Sequence, residues 1–355
     1  MGGSRRAFRI EVAAACWLVL ASTAFAAPAA NPAEDDPWAA DKACKTGDAT
    51  ACYNVGLVYE DGLCCDEDGE DYFPRYTGIA AQRFRSACDG GEPRGCMSLG
   101  WIYTTGLGEK KDPAAAAPLF AKACAANIYE ACDSSGVDYR DGRGVAMDKK
   151  KAATQFAKAC NGSASFCHYF GLATEKGEGV KADFAKAGVL FERACTAGNP
   201  SACFDRGRLF YEGKGGALDK TRAAEFFSIA CKKFSPEACV MLGKQLAFGD
   251  GVPKNGAEAS KKLTDPCMMG RDPSACGPLG AVHYNGDGVP RDPAKSALMF
   301  KRGCDKGDAP SCHMLALQAR AGDGLAKNEA WAADAFAKLC AAGFALSCKA
   351  AKAAQ

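Results

Sequence analysis

The chain has almost no histidine, no excess of either charge and no Cys-x-x-Cys pair. Its 355 residues include three His, 44 Lys plus Arg and 42 Asp plus Glu. The balanced charge excludes the basic field that non-specific nucleic-acid binding or a polybasic membrane anchor requires. The scattered histidines and the missing Cys-x-x-Cys spacing disfavour a zinc centre. We therefore expect no metal, no cofactor and no nucleic-acid partner.

Long apolar runs are also absent after residue 26. Before it, Arg5, Arg6 and Arg9 precede an apolar stretch that ends in Ala24-Phe25-Ala26. This pattern predicts a signal peptide over residues 1–26, cleaved near Ala26, by either the general or the twin-arginine route. We expect a disordered leader over 27–40 and a single domain over 41–355. The mature protein is expected to be periplasmic or secreted, without a membrane span.

Cysteine, in contrast, is abundant, with 21 residues. Apart from Cys16, Cys64 and Cys65, the cysteines form nine pairs, with a gap of eight residues in seven cases, seven in one and nine in one. From the second pair onward they recur every 35 to 37 residues, a period typical of helical solenoids. The pairs are Cys44 with Cys52, Cys88 with Cys96, Cys124 with Cys132, Cys160 with Cys167, Cys195 with Cys203, Cys231 with Cys239, Cys267 with Cys276, Cys304 with Cys312 and Cys340 with Cys348.

Other residues repeat in step with the cysteines. Twelve residues before most first cysteines stands an Asp or Asn suited to capping a helix, and four before stands Phe or, once, Leu. This helix, named helix B, ends in a short turn. Helix A follows with the second Cys, a Gly four residues later, and a Gly-x-Gly loop at its end. The sequence predicts an all-α right-handed superhelix of about eight to nine helix pairs.

The spacing places the two cysteines of a pair opposite each other across the helix hairpin, within reach of a disulfide. Zinc is the competing use, but it needs four converging ligands, and a linear array keeps the pairs apart. Disulfides are also typical of an exported chain, because a reducing cytosol rarely holds so many cysteines without metal. We expect one disulfide per repeat.

The unit of Lys-Ala-Cys, a Gly turn, a second Cys, Gly and Tyr, a Gly-x-Gly-Val loop and Ala-Ala-x-x-Phe resembles the Sel-1-like repeat (SLR), a tetratricopeptide-like helical repeat. The paired cysteines make it similar to the cysteine-rich branch, the Helicobacter cysteine-rich protein type. A mitochondrial cytochrome c oxidase assembly factor of the intermembrane space is also similar. The resemblance covers residues 41 to about 352. It implies an α/α superhelix with one disulfide per repeat and a role mainly in protein–protein interaction.

The same resemblance implies an enzymatic alternative, because members of the cysteine-rich branch are described as penicillin-binding proteins or weak β-lactamases. A serine β-lactamase needs Ser-x-x-Lys, and no Ser in this chain has Lys three residues later. No Gly-x-Ser-x-Gly, P-loop or dinucleotide fingerprint stands out. The catalytic residues of such an enzyme therefore stay unknown. His168 and His313 are expected on helix surfaces, whereas His283 replaces a core aromatic.

The first repeat is irregular, with eight extra residues between its loop and helix B and with Cys64 and Cys65 in the acidic loop, where Cys64 stands at the position of the second loop Gly. Two hypotheses remain open for this loop. The two cysteines form a tenth disulfide, or they form a reactive pair in a metal, cofactor or thiol-redox site. The second hypothesis supports the further alternative of a thiol-redox or cofactor assembly factor.

Partner binding in solenoids uses the concave groove, which one helix of each pair usually lines. Positions one, two and five after the second Cys vary most along helix A. Aromatic residues and Arg dominate binding hot spots. The candidate partner-binding residues are Trp101, Tyr169, Arg208, Tyr53 and Phe204. The sequence thus predicts an exported, monomeric, disulfide-stapled scaffold that binds a protein or peptide.

Overall fold

The computed structural model describes residues 36–65, 71–73 and 76–352. The expected signal peptide and most of the expected leader lie outside these residues. The first helix begins at Pro37, four residues before the predicted start of the domain. The chain divides into two compact units, with the boundary between Ser163 and Ala164. The single repeat domain over 41–355 stays a prediction.

The first unit contains seven described helices, arranged as successive helix pairs. Odd-numbered helices are helix B of a repeat, and even-numbered helices are helix A. They are α1 (Pro37–Lys45), α2 (Ala49–Asp61), α3 (Thr77–Asp89), α4 (Pro93–Thr105), α5 (Pro113–Ala125), α6 (Tyr129–Asp141) and α7 (Lys149–Gly162).

The second unit continues the pattern with eleven described helices and two short 3-10 segments, Ala164–Phe166 and Pro273–Ala275. Within each unit consecutive helices pack on each other, which confirms the predicted helix-pair solenoid fold. The helices are α8 (Cys167–Lys176), α9 (Phe184–Thr196), α10 (Pro200–Glu212), α11 (Lys220–Lys232), α12 (Pro236–Phe248), α13 (Gly256–Met268), α14 (Cys276–Asn285), α15 (Pro293–Asp305), α16 (Ala309–Ala321), α17 (Glu329–Ala341) and α18 (Ala345–Lys352).

The extra segment of the first repeat forms a ribbon that the sequence did not predict. Strand β1 (Leu63–Cys65) pairs antiparallel with β2 (Asp71–Phe73), with Leu63 opposite Phe73 and Cys65 opposite Asp71. The backbone of Cys64 and Cys65 therefore lies in β1. Their side chains are outside the part of the chain that the structure describes, so both hypotheses for this pair stay predictions.

Helix B begins where the sequence predicts, at an Asp or Asn cap. The Oδ1 of Asp112 accepts a hydrogen bond from the Ala115 backbone N–H at 3.0 Å, and the other predicted caps do the same for their own first turns. These caps are Asp148, Asp183, Asp219, Asn255, Asp292 and Asn328. Each cap satisfies a backbone donor that the helix leaves unpaired and so sets the start of helix B.

The recurring glycine of helix A lies directly against an aromatic ring of the next helix B. A Cβ placed on Gly136 would come within 2.5 Å of the Phe156 ring, and one on Gly207 would come within 2.8 Å of the Phe227 ring. The equivalent contacts are Gly56 with Phe84, Gly100 with Phe120, Gly171 with Phe191, Gly243 with Leu263 and Gly280 with Phe300. The glycine confirms the predicted close packing, because a Cβ in these repeats would come too close to the ring for the helices to stay in place. Only the repeat of Phe336 has Ala, Ala316, at this position among the repeats whose ring is buried.

A second recurring glycine fixes the conformation of the loop after helix A. Gly144 has a φ of 69°, and a Cβ there would overlap the carbonyl oxygen of Pro113, at the start of helix B in the same repeat. Only a residue without a side chain can combine this left-handed backbone with such a close approach. The loop therefore turns back onto the pair that it leaves.

Disulfides join eight of the predicted cysteine pairs, and each of these bonds connects helix B to helix A of one repeat. All eight bonds have Cα atoms 4.5 to 4.9 Å apart. They link Cys44 with Cys52, Cys88 with Cys96, Cys124 with Cys132, Cys195 with Cys203, Cys231 with Cys239, Cys267 with Cys276, Cys304 with Cys312 and Cys340 with Cys348. Cys160, near the end of α7, and Cys167, at the start of α8, are also disulfide-bonded. The expectation of about one disulfide per repeat is confirmed.

The second cysteine of a pair is also oriented toward the end of helix B. The Sγ of Cys52 lies 3.4 Å from the carbonyl oxygen of Cys44, and the Sγ of Cys96 lies 3.8 Å from that of Cys88. Cys132 and Cys239 repeat this contact in later pairs. The sulfur atoms therefore sit at the same place in each hairpin, against the last turn of helix B.

Lysine side chains connect one helix B to the previous one. The Nζ of Lys122 on α5 donates to the carbonyl oxygen of Cys88 at 2.9 Å, and the Nζ of Lys158 on α7 donates to that of Cys124 at 2.6 Å. Both carbonyls lie in the last turn of a helix, where a cation also complements the helix dipole. These bonds tie the C-terminal ends of successive B helices together.

Replacing Gly207 with Ala should destabilise the protein although Ala is the better helix former. The new methyl group meets the buried Phe227 ring, and overpacking of this kind costs about 1–3 kcal/mol. Urea unfolding followed by circular dichroism measures the change. Gly216→Ala is the control, because no atom lies within 4 Å of its Cβ position. If Gly207→Ala unfolds at the same urea concentration as the wild type, the glycine has no packing role.

Removing one disulfide by the double substitution Cys195→Ala and Cys203→Ala should lower the free energy of unfolding by about 2–4 kcal/mol. The bond restricts the unfolded chain, and both cysteines are buried between α9 and α10. Thermal and urea unfolding under oxidising conditions measure the loss. A variant as stable as the wild type would contradict a stapling role for this bond.

Candidate functional site

The structure places all five candidate partner-binding residues on A helices. Tyr53 lies on α2 and Trp101 on α4 in the first unit. Tyr169 lies on α8, and Phe204 and Arg208 lie on α10 in the second unit. We use the name helix A face for positions one, two and five after the second Cys of each repeat.

Buried phenylalanines of helix B support the aromatic rings on the helix A face. The centroid of Trp101 lies 5.6 Å from that of Phe120 with the rings at 72°, an edge-on contact. The Phe204 and Phe227 centroids are 5.6 Å apart. Such ring pairs add to the stability gained from burial. Trp101 nevertheless keeps 41% of its surface exposed.

Tyr53 follows the same arrangement in the first repeat. Its ring lies 6.0 Å from that of Phe84, and the side chain is half-buried. Burial raises the pKa of the Tyr53 hydroxyl, and the positive charge of Arg94 partly opposes this. Tyr53 therefore stays neutral and presents a hydrogen-bonding hydroxyl on a fixed ring.

A polar network occupies the helix A face of the second unit. The Nε2 of His168 lies 2.8 Å from an Oδ of Asp205. Arg208 donates to both carboxylate oxygens of Glu175 at 2.7 and 2.8 Å, and lies 3.3 Å from Asp205 and 3.4 Å from Glu212. Burial opposes the charge of Arg208, but the Glu175 contact outweighs it and the pKa is raised.

The predicted role of Arg208 as an anchor changes in the light of this network. The side chain of Arg208 is only 24% exposed, and its guanidinium forms ion pairs with three carboxylates of its own chain. Glu212 also pairs with Lys214 at 2.8 Å, so Glu175, Asp205 and Glu212 together face two cations. The network therefore offers acceptor oxygens to a partner as well as a positive charge. Tyr169 lies beside it, with its ring 5.6 Å from that of His168.

Two of the three histidines are not where the sequence predicts. His313 is 9% exposed and packs against Phe336 and Phe344, with its Nδ1 2.9 Å from the Ser347 hydroxyl. His168 has a side chain that is 14% exposed. The surface prediction for both is wrong because the next helix pair covers most of the side chain at the first position after the Cys, where Tyr53 and Phe204 are likewise only partly exposed. His283 lies in the core as predicted, and burial lowers its pKa and that of His313.

The sequence reasoning missed two carboxyl groups on α6. Burial raises the pKa of Asp133 to about 7 and that of Asp138 to about 6, with smaller opposing effects of Arg140 and Arg143 respectively. A buried carboxyl oxygen of each has no hydrogen-bond partner. The signal was available in the repeat alignment, since Asp138 occupies a position that is apolar or Gln in most other repeats.

In 36–65, 71–73 and 76–352, no group of three or more His, Cys, Asp or Glu side chains could hold a metal ion. Within the same residues, no helix has the length and apolar character needed to cross a bilayer.

Solved structures of repeat proteins resemble this chain. A protective antigen of uropathogenic Escherichia coli, c5321, which displays an SLR fold, matches with a TM-score of 0.77 and 23% identity. The match covers 89% of this chain and 66% of that protein, so this chain spans somewhat less than two thirds of its length. A Sel1 repeat protein from Oxalobacter formigenes matches with a TM-score of 0.56 and 21% identity, over 92% of both chains. These likenesses show the fold.

Sequence comparison with curated proteins finds no match. The Sel1 repeat profile, in contrast, matches six segments that together make up more than half of the chain. They are residues 49–70, 93–128, 157–199, 200–233, 236–260 and 273–308. The matches at 93–128, 200–233 and 273–308 each cover a helix A, its loop and the following helix B. The chain belongs to the Sel1 repeat family.

Proposed function

We propose that this protein is exported and acts outside the cytoplasm as a disulfide-stapled scaffold for a protein or peptide partner. About one disulfide per repeat is typical of proteins that fold in an oxidising compartment. The basic and apolar residues 1–26, which end in Ala24-Phe25-Ala26, support a cleaved signal peptide. Residues after Ala26 then form the mature chain.

The observation that carries the binding proposal is the set of rigid aromatic rings on the helix A face. Trp101 and Phe204 rest on buried phenylalanines, so their rings are held in place before a partner arrives. A preformed anchor loses little side-chain entropy on binding and so contributes more to affinity. Large aromatic side chains of this kind dominate the energetics of protein interfaces.

The charged residues on the helix A face of the second unit indicate which kind of partner it would bind. Glu175, Asp205 and Glu212 contact Arg208, Glu212 also pairs with Lys214, and Phe204 and Tyr169 lie on the same face. This combination fits a peptide or loop that offers apolar side chains together with a basic group. Solenoid proteins commonly bind such segments in the concave groove, which the helix A face would line.

Export predicts a defined N-terminus. The protein isolated from the periplasm or the medium should begin at Ala27, which N-terminal sequencing or intact-mass measurement detects. Replacing both Arg5 and Arg6 with Lys should abolish export if the twin-arginine route is used, and should leave it unchanged if the general route is used. An intact Met1 on protein recovered from the cytoplasm alone would refute the export proposal.

Replacing Trp101 or Phe204 with Ala should weaken partner binding at least tenfold, or about 1.4 kcal/mol, because hot-spot aromatics typically cost more than this when truncated. The partner is first identified by cross-linking in the cell envelope, and the Kd of the purified pair is then measured by calorimetry.

The matched controls are Leu107→Ala and Leu218→Ala, which remove exposed apolar side chains from loops. They should leave the Kd unchanged, and thermal unfolding should show that all four variants are folded. Equal affinity of the wild type and both aromatic variants would exclude the helix A face as the binding site.

A further inference from the structure

Asp138 of α6 is a buried carboxyl group that neither the fold nor the proposed binding function uses. It is 6% exposed, and its Oδ2 is buried without a hydrogen-bond partner. A buried carboxylate without a partner is costly, so a residue of this kind calls for a physical explanation.

Two other repeats show what the position can do. Gln245 and Gln318 stand at the same place, six residues after the second Cys. The Nε2 of Gln245 donates to the carbonyl oxygens of Lys220 and Asp250, both at 2.9 Å. In the later repeat, the Nε2 of Gln318 donates to those of Pro293 at 2.9 Å and Asp323 at 3.1 Å. The position therefore faces two carbonyl acceptors, one at the start of helix B and one in the loop.

In the repeat of Asp138 the corresponding acceptors are the carbonyl groups of Pro113 and Arg143. Gly144 confirms that the loop approaches Pro113 here, because a Cβ on it would overlap the Pro113 oxygen. An ionised carboxylate has no hydrogen to donate to a carbonyl. A protonated Asp138 has one hydrogen to donate. It can therefore make one of the two hydrogen bonds that Gln245 and Gln318 each make in their repeats.

The charged groups around Asp138 in the first unit do not neutralise it. Arg143 and Arg140 both bond to the carboxylate of Asp141, at 2.8 Å and 2.7 Å. Asp112 caps the start of α5. Lys122, near the C-terminal end of α5, donates to the carbonyl oxygen of Cys88. At the start of α7, Asp148 caps the helix and lies 4.0 Å from the Nζ of Lys151. Lys151 in turn lies over the Tyr139 ring. The side chains of Lys149 and Lys150 are exposed.

We propose that protonated Asp138 closes the α5–α6 pair by donating a hydrogen bond to this carbonyl pair, and that the α5–α6 pair opens locally as the pH rises. In the open state the carboxylate reaches water instead of facing two carbonyl dipoles. The first unit thus contains a pH-responsive element, and the Gln-bearing repeats do not share it.

The direction of the pH effect follows from proton binding. Burial raises the pKa of Asp138 to about 6 from 3.8. Between these values the closed state holds a proton that the open state releases, so closure is most favoured at acidic pH and is progressively lost as the pH rises to about 6. A difference of about two pKa units corresponds to about a hundredfold change in the opening equilibrium.

Hydrogen exchange of the full-length oxidised protein, read by mass spectrometry between pH 4 and 7.5, tests this proposal. After correction for the intrinsic exchange rate, the amides of α5 and α6 should lose between tenfold and a hundredfold protection as the pH rises. Asp138→Gln, which installs the residue of the other repeats, should reduce this loss to the part that the buried carboxyl of Asp133 contributes. Asp138→Val should do the same without providing a donor.

Asp133→Asn is the matched control, because it removes the other buried carboxyl of α6 and leaves Asp138 in place. Asp133→Asn should retain a loss of protection that is complete near pH 6, where Asp138 titrates, and should lack the further loss between pH 6 and 7 that Asp133 contributes. If the protection of the α5 and α6 amides depends on pH in the same way in the wild type and in Asp138→Gln, the proposal is overturned. If the variants fail to fold, constant protection of α5 and α6 in the wild type from pH 4 to 7.5 would overturn it equally.

Discussion

The contact between a glycine of helix A and a phenylalanine ring of the next helix B is the constraint on which the rest of the fold depends. The rings of Phe84, Phe120, Phe156, Phe191, Phe227, Phe300 and Phe336 are among the largest fully buried side chains of the described residues. Most described helices are only thirteen residues long, and many are rich in Ala, so they have little other apolar surface to bury. The glycine brings the helices close enough for one ring to fill the space between them. The same ring supports Tyr53, Trp101 or Phe204 on the helix A face, and so the core contact and the proposed binding surface share one side chain.

Caps, loops and disulfides make this contact repeatable. An Asp or Asn cap sets where helix B begins, and the second loop glycine returns the chain to that point. The disulfide then holds the other end of the hairpin, where the two helices turn. Each repeat is therefore fixed at both ends by local interactions. Lys122 and Lys158 add a link to the previous repeat that needs no apolar surface.

Much of this could be predicted from the sequence because the repeat samples each position many times. A cap, glycine or cysteine that recurs every 35 to 37 residues identifies its own structural role. The features that were missed occur once or break the pattern. The β1–β2 ribbon lies in an insertion without a counterpart in other repeats. His168 and His313 look like surface residues in an isolated helix, and only the neighbouring pair buries them. The engagement of Arg208 depends on Glu175, which lies 33 residues away on another helix and has no sequence signature.

The short span of the disulfides has a consequence for how the chain acquires its bonds. In each bond of known geometry the correct partner is the cysteine eight or nine residues away, within the same hairpin. A wrong bond to a neighbouring repeat would have to close a loop of about three times that length or more, which costs more chain entropy. Oxidation can therefore proceed hairpin by hairpin, in whatever order the hairpins form, without a search for distant partners. A chain with so many cysteines would otherwise face a very large number of alternative pairings, and the local spacing reduces that problem to a series of independent choices between neighbours.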